Sequence, residues 1–297
     1  MLALYADALA WPRYPLAAPP GYRYYPPVLG APPGAFGRVP PVAAASAHRF
    51  RGIRTVPPDS GQQPSPTATD RTQTGALPAV LADESLTSAE RKLLFINTLL
   101  PIVQAENSRL EKQRKRVKGL QLQKRRGKPL SQEQKTWLDD MASTYRIEGD
   151  APPETVINEL LVRVDVVPAG LAVAQAANES AWGTSRFAQQ ANNLYGTWTL
   201  DADKGIKPLQ RATGKRHLVR VYDTVAESVR AYMHNLNSHP AYQPFRERRA
   251  RQRQAGQSLT AITLAEGLTA YSELGDEYVT RIQSLITANA LEHVALL

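Results

Sequence analysis

The chain has 297 residues, a formal net charge of +9 at pH 7 and no cysteine. The missing cysteines exclude disulfide bonds, thiol catalysis and zinc–thiolate sites, and the positive charge favours an anionic partner without saying whether it is nucleic acid, lipid or cell-wall polymer. No run reaches the roughly 18 to 20 apolar residues that cross a bilayer, and the first residues lack the basic start and apolar core that predict a signal peptide.

The first part of the chain is rich in proline, since 15 of the 23 prolines lie in residues 1–80. This composition favours extended conformers and cannot bury a core. We therefore predict three segments. Residues 1–82 form a Pro/Ala-rich disordered extension or linker, residues 83–150 form a helical extension with a basic run, and residues 151–297 form the domain that carries the chemistry.

A long helix is predicted to begin after Leu86, where Thr87 and Glu90 have the spacing of a capping box. Pro101 should kink or split this helix, because a proline removes one backbone hydrogen bond and clashes with the preceding turn. Farther along, nine of the seventeen residues in 112–128 are Lys or Arg. This basic run lacks the interleaved aromatic residues that stack on bases, so a solvated helix end and loop is the favoured interpretation.

Three more helices are predicted between the basic run and Gly183. One covers residues 131–147, the next begins at Pro153, and the third begins at Pro168, where a proline suits the first turn. After Gly183 the chain becomes polar and is expected to form loops.

The remainder of the chain combines two short β-like runs with further helices. The runs lie at residues 195–200 and 217–222 and predict a small β-hairpin lobe. Helical spacing resumes after Asp223, in residues 224–239, 258–268 and 275–291. The sequence therefore predicts an α+β fold that is mostly α.

Glu179 is the residue most suggestive of chemistry. It lies in the last turn of a predicted helix of small apolar residues, and an acid in such surroundings has a raised pKa and is costly unless it is used or paired. A raised pKa suits a general acid at neutral pH. The alternative, that Glu179 caps a neighbouring helix or pairs with Arg186, fits this pattern equally well.

The residues around Glu179 resemble the glucosaminidase family of peptidoglycan hydrolases. Residues 174–198 read AQAANESAWGTSRFAQQANNLYGTW, and the family shows a helix running into Glu-Ser-small-Trp-Gly-x-Ser and then an Asn-Asn-Leu-aromatic-Gly loop. The resemblance implies a lysozyme-like fold, a general acid at Glu179, and cleavage of the β-1,4 bond after N-acetylglucosamine in peptidoglycan glycan strands. It implies neither a metal nor an organic cofactor.

The second catalytic group is less clear from the sequence. Residues 204–220 contain no Asp or Glu, although relatives usually carry an acid there. Three acids flank this gap and could supply a general base that acts on a water: Asp201, Asp203 and Asp223. A polar hairpin end is the favoured interpretation of each. The other route is assistance by the acetamido group of the substrate, steadied by Tyr271, which matches the tyrosine of the family's closing segment. A buried packing tyrosine is an almost equally good interpretation of Tyr271.

Sugar contacts are expected from flat aromatic faces and amide groups. Trp182, Tyr195 and Trp198 could stack on sugar rings, and Asn193 could bind acetamido or hydroxyl groups. Each residue also has a possible core role, and we favour packing for Trp182 and ligand contact for Tyr195. Among the five histidines, only His234 and His239 lie near each other on one predicted helix. They are five residues apart and Pro240 ends that helix, so no metal site is predicted.

The resemblance implies peptidoglycan glycan strands as the partner, no nucleic acid, and a periplasmic or cell-envelope location. The absence of an acid from residues 204–220 leaves a second hypothesis open, in which the domain binds glycan without cutting it. A third hypothesis takes the basic run at residues 112–128 as a nucleic-acid or membrane-surface site.

Overall fold

The computed structural model describes residues 75–147, 151–208 and 218–296. Most of the Pro-rich segment, and with it the expectation of disorder there, lies outside these residues. The boundaries predicted at residues 82 and 150 stay predictions. None of the described helices is long and apolar enough to span a membrane.

The described residues confirm a mostly helical α+β fold with a small antiparallel sheet. The α-helices in these ranges are α1 (Ser88–Arg125), α2 (Gln132–Thr144), α3 (Pro153–Arg163), α4 (Ala169–Ser180), α5 (Arg186–Ala191), α6 (Val225–Ser238), α7 (Gln243–Gln254), α8 (Ala261–Ala265) and α9 (Asp276–Ala288). Short 3-10 helices connect several of them.

Helix α1 begins as the sequence predicts. Thr87 accepts a hydrogen bond from the backbone of Glu90, whose side chain accepts one from the backbone of Thr87, so the capping box is complete. The expected split at Pro101 is wrong, because one α-helix runs through this residue. Pro101 is exposed, and the buried side chains of Leu99 and Val103 on either side hold the helix against the core.

The sheet has three short strands, β1 (Trp198–Thr199), β2 (Gly205–Ile206) and β3 (Leu218–Arg220). Its order is β1-β3-β2, with both pairs antiparallel, and Val219 of β3 faces Trp198 on one side and Ile206 on the other. The two-stranded hairpin expected from the sequence is therefore extended by β2, which lies in the segment that was predicted to be only a connection.

Two helices were missed by the sequence analysis. The loop expected after Gly183 contains α5, which Ser185 caps by accepting a hydrogen bond from the backbone of Ala188. Helix α7 was missed because five arginines hide its apolar spacing, although Arg246 and Arg249 are buried inside the fold.

Helix α4 lies at the centre of the fold. Nearly all of its residues are buried, and α1, α8, α9 and the C-terminal 3-10 helix (Leu291–Leu296) pack around it. A helix that is apolar on all sides is expected in such a position. The core around α4 consequently fixes where its last turn, and with it Glu179, emerges.

The N-terminal end of α4 packs closely against the C-terminal segment. A Cβ atom added to Gly170 would meet the backbone oxygen of Leu291 at 2.1 Å, so Gly170→Ala is expected to destabilise the fold by about 2–3 kcal/mol through overpacking. Gly119→Ala is the matched control, because this glycine lies within α1 and its added Cβ meets nothing within 4 Å. That variant should gain stability, by up to about 1 kcal/mol. Equal melting temperatures for the two variants would contradict the packing argument.

The segment before α1 forms hydrogen bonds with the loop that follows α5 and with the start of α6. The backbone N–H of Leu77 donates to Oδ1 of Asn192 at 3.0 Å, and the backbone oxygen of Gly75 accepts from Val225 at 2.7 Å. Leu77 and Leu81 are buried. The described structure therefore places residues 75–82, which the sequence analysis assigned to the Pro-rich segment, against the core.

Candidate active site

The turn after α4 has an unusual backbone. Ala181, Trp182 and Gly183 follow one another with φ of 51°, 58° and 82°, a left-handed region that is uncommon for residues other than glycine. The buried hydroxyl of Ser180 holds the turn, since it donates to the oxygen of Ala176 at 2.6 Å and accepts from the N–H of Gly183 at 2.9 Å. Strained backbone of this kind concentrates at functional sites.

Glu179 stands immediately before this turn and is partly buried. Its Oε1 accepts hydrogen bonds from Nδ2 of Asn178 at 3.0 Å and from the hydroxyl of Tyr278 at 3.1 Å. Burial raises the pKa of Glu179 to about 7, against the opposing effect of these two donors and of Arg281. Both hydrogen bonds found in the described residues go to Oε1, which leaves Oε2 to carry and deliver a proton.

A chain of buried hydrogen bonds leads to Glu179 from the core. The hydroxyl of Tyr232 donates to Oε1 of Gln175 at 2.6 Å, and Nε2 of Gln175 donates to the hydroxyl of Tyr278 at 2.9 Å. Because that amide proton occupies an acceptor site of the Tyr278 oxygen, the Tyr278 proton points to Glu179. The orientation of the carboxyl group is thus set by three side chains from α4, α6 and α9.

Five buried tyrosines form the floor around this chain. Tyr232 stacks on Tyr195 at 3.9 Å between ring centroids, and Tyr271 stacks on Tyr278 at 5.2 Å. Tyr242 contacts Tyr271 at 5.8 Å. Burial is the largest cause of the raised pKa of each of these tyrosines, so the floor stays neutral beside the ionising Glu179.

Tyr271, the predicted partner of Glu179, is one of these floor residues. It is only 1% exposed, and its hydroxyl donates to the backbone oxygen of Tyr195 at 3.4 Å. The negative charge of Glu179 contributes to its raised pKa, after burial and the neighbouring Tyr278. The two residues are therefore close, but the Tyr271 hydroxyl is turned toward the backbone.

Two expected sugar contacts need correction, because both residues are buried. The ring of Tyr195 is 0% exposed and stacks on Tyr232, so it offers no open face to a sugar. Asn193 is 2% exposed, and its Nδ2 donates to the oxygens of Thr197 and Arg220, both at 2.8 Å. Its amide holds the loop before β1 against β3 instead of facing a ligand.

The two tryptophans differ in their surroundings. Trp182 packs edge-on against Phe95 at 5.7 Å, and Nζ of Lys92 lies 5.2 Å from its ring, in keeping with the packing role that we favoured. Trp198 lies in β1 and is partly buried. It is the expected aromatic contact that remains a candidate for stacking on sugar.

The three possible second acids are exposed and lie at the ends of the sheet lobe. Asp201 caps the short 3-10 helix Ala202–Lys204 by accepting from the backbone of Asp203, and it lies 3.6 Å from Nζ of Lys204. Asp223 precedes α6, and its backbone N–H donates to Glu227 at 3.0 Å. These contacts give Asp201 and the Asp223 backbone local roles in the lobe and leave a catalytic role for any of the three acids as a prediction.

Sequence reasoning missed Gln175, Tyr232 and Tyr278. Gln175 carried a usable signal, because it is a polar residue one turn before Glu179 on the same face of an otherwise apolar helix. Tyr278 lies seven residues after Tyr271, and nothing local distinguishes it from a packing tyrosine.

This arrangement can perform one kind of chemistry well. It holds a carboxylic acid that is still partly protonated at neutral pH, fixed through one oxygen, and set on a buried neutral floor. Such a group can donate a proton to the leaving oxygen of a substrate that enters beside the turn.

Comparison with protein families agrees with this chemistry. Residues 155–291 match the family model Glucosaminidase, described as mannosyl-glycoprotein endo-beta-N-acetylglucosaminidase. This domain is therefore similar to the glucosaminidase family, and the family suggests a glycosidase that acts on glycan.

Among curated proteins, the chain is similar to Protein bax of Escherichia coli (strain K12), with 35% identity over 189 residues. The aligned region covers 63% of this chain and 66% of the relative, so the chain spans slightly less than two thirds of that protein. The residues around Pro101, together with the later motifs, also resemble bacterial Bax, and this similarity confirms that resemblance. No solved structure matches the chain.

Proposed function

We propose that the domain hydrolyses the β-1,4 glycosidic bond after N-acetylglucosamine in peptidoglycan glycan strands, with Glu179 as the general acid. The observation that carries this proposal is the partly buried Glu179 carboxyl, with a pKa raised to about 7 and a hydrogen bond from Tyr278 at 3.1 Å. The family match supports the choice of an N-acetylglucosamine linkage.

In this mechanism Oε2 of Glu179 donates its proton to the glycosidic oxygen as the bond to the sugar breaks. Tyr278 and Asn178 both donate to Oε1, so they stabilise the carboxylate that remains. The charge that appears on Glu179 thus meets donors already in place, which lowers the barrier without rearrangement of the site.

We propose that the acetamido group of the substrate stabilises the positive sugar carbon, since the described residues place no second carboxylate in contact with Glu179. Tyr271 then acts through the Tyr278 ring that it stacks on, because its own hydroxyl is turned to the backbone of Tyr195. A general base among Asp201, Asp203 and Asp223 is the other route. An inverted anomeric product would support that route, and a retained one supports the acetamido.

The location that follows from this substrate is the periplasm or cell envelope. A glycan-binding domain without cleavage is the second candidate function, and it is favoured by the absence of acids from residues 204–220. Mass analysis of muropeptides released from purified peptidoglycan by the full chain distinguishes the two. New reducing ends at N-acetylglucosamine support the hydrolase, whereas glycan binding without new ends supports the second function.

Removal of the Tyr278 hydroxyl tests its role in orienting the acid. Tyr278→Phe removes a hydrogen bond to a charged group, so kcat/KM should fall by about tenfold at the optimum pH. The same donor lowers the pKa of Glu179, and its loss should therefore move the alkaline limb of the pH profile to higher pH. A merely structural role would lower activity equally at every pH.

Tyr195→Phe is the matched control for this variant. The Tyr195 hydroxyl is equally buried, but it has no hydrogen-bond partner among the described residues. Its removal should leave both the optimum rate and the alkaline limb unchanged. Identical pH profiles for Tyr278→Phe and Tyr195→Phe would exclude the proposed role of Tyr278.

A further inference from the structure

The second half of α1 and the residues just after it carry a row of exposed cations that the active site does not use. We call it the basic ridge, and its members are Lys112, Lys115, Lys118, Arg125, Arg126 and Lys128. The opposite face of the helix is buried through Leu110, Val117 and Leu120. At 1.5 Å per residue, the part of the ridge from Lys112 to Arg126 is about 21 Å long.

The acidic side chains near α1 form no ion pair with this ridge in the described residues, and these acids include the exposed Glu111, four positions before Lys115 on the same helix. Glu133 lies 3.9 Å from Arg116, and Glu154 lies 3.6 Å from Lys124, so both are directed to cations outside the ridge. Within the described ranges, the ridge side chains themselves form no ion pair. The positive charge therefore remains available to an external anionic surface.

We propose that the basic ridge docks on the surface of an anionic lipid bilayer. Leu122 lies among the ridge cations and is 49% exposed. An apolar side chain between cations is typical of a helix that lies at the boundary of headgroups and acyl chains, where the leucine is buried while the cations contact lipid phosphates.

A nucleic acid fits this ridge less well. Single strands are bound by aromatic side chains on which bases stack, and the aromatic residue next to the ridge, Trp137, is covered by the guanidinium of Arg116 at 4.2 Å. A duplex would offer phosphates to the cations but no apolar contact to Leu122. The proposal does not depend on the glycosidase function, although it would hold the domain near the membrane.

Vesicle binding by the full chain tests the proposal. Vesicles of phosphatidylcholine with about a third phosphatidylglycerol should bind the protein, whereas pure phosphatidylcholine should not. Lys115→Glu with Arg126→Glu should weaken binding by roughly 30-fold or more, because each basic residue contributes about fivefold near an anionic surface. Lys207→Glu with Arg251→Glu makes the same change of net charge at exposed positions outside the ridge and should weaken it by less than about threefold.

Leu122→Ser separates a lipid partner from a nucleic acid. This variant should lower binding to the anionic vesicles and leave binding to a random-sequence duplex DNA unchanged. The proposal is overturned if the two charge-reversed pairs weaken vesicle binding equally, or if the vesicles bind no better than pure phosphatidylcholine. It is also overturned if the duplex binds more tightly than the vesicles and Leu122→Ser does not affect vesicle binding.

Discussion

Glu179→Gln is expected to lower kcat/KM for peptidoglycan cleavage by about 1000-fold, since glutamine keeps the shape of the side chain but cannot deliver a proton. The amide oxygen can still accept the hydrogen bond from Tyr278, so the tyrosine floor should stay in place. The release of new reducing ends from purified peptidoglycan measures the effect. Glycan binding should persist in the variant, because the substituted group acts on the bond and not on the groove.

Glu273→Gln is the matched control for loss of a carboxylate. Glu273 is exposed and lies in the closing segment of the domain, two residues after Tyr271. Its substitution should leave cleavage within about twofold of the wild type, as for most surface changes. If Glu179→Gln cleaves peptidoglycan within about tenfold of the wild type, Glu179 is not the general acid.

Glu179→Gln is expected to lower activity but to raise the stability of the fold at alkaline pH. The ordinary pKa of the Glu179 carboxyl is 4.5, and the folded protein raises it to about 7. The folded state therefore holds this proton more tightly than the unfolded state. As a result, the contribution of Glu179 to the free energy of unfolding falls as pH rises from 4.5 to about 7. Glu179→Gln should consequently have a higher melting temperature than the wild type at pH 8 but not at pH 4. This result would show that the variant loses activity without losing its fold.

Local features of the fold were predictable from the sequence. The Thr87–Glu90 capping box and the start of α4 after Pro168 depend on neighbouring residues, so the sequence alone identifies them. Helix α7 could not be found in this way. Its arginines Arg246 and Arg249 point into the fold, which reverses the usual rule that the apolar face of a helix is the buried one.

In the candidate site, too, the sequence identifies what depends on neighbouring residues but not what depends on tertiary packing. Glu179 could be identified because its own helix is apolar and the motif around it is contiguous. Tyr278 donates to Glu179 from 99 positions away along the chain, and only the packing of α9 against α4 brings the two together. Tyr195 was assigned to ligand contact for the same reason, since the Tyr232 ring that covers it belongs to a separate helix.

Arg249→Ala is expected to destabilise the fold by about 3–5 kcal/mol, because it removes one partner of a buried charged network. Arg249 is 1% exposed. Its guanidinium donates at 2.8–3.2 Å to the side chain of Asn237 and to four backbone oxygens, those of Val162, Arg163, Asp165 and Val166. These oxygens belong to the end of α3 and the connection to α4, so the network fixes the helix that carries Glu179.

The charge of Arg249 matters as well as its hydrogen bonds. Burial lowers its pKa to about 10, so it stays protonated at neutral pH. Burial alone would raise the pKa of Asp165, but Arg249, Arg253 and Arg114 together hold this pKa below its usual value. Without Arg249, the described contacts that remain at the buried Asp165 carboxylate are the ion pairs with Arg253 at 2.9 Å and Arg114 at 3.4 Å and the hydrogen bond from the N–H of Val166 at 2.9 Å.

Thermal unfolding of Arg249→Ala and Arg251→Ala measures the difference. Arg251 lies on the same helix and is exposed, so its removal should change stability by less than about 0.5 kcal/mol. For a domain of this size, the expected loss at Arg249 lowers Tm by roughly 10 °C. Equal Tm values would mean that water replaces the hydrogen bonds of Arg249 to the backbone oxygens without loss of stability. The network would then contribute nothing to the placement of α4.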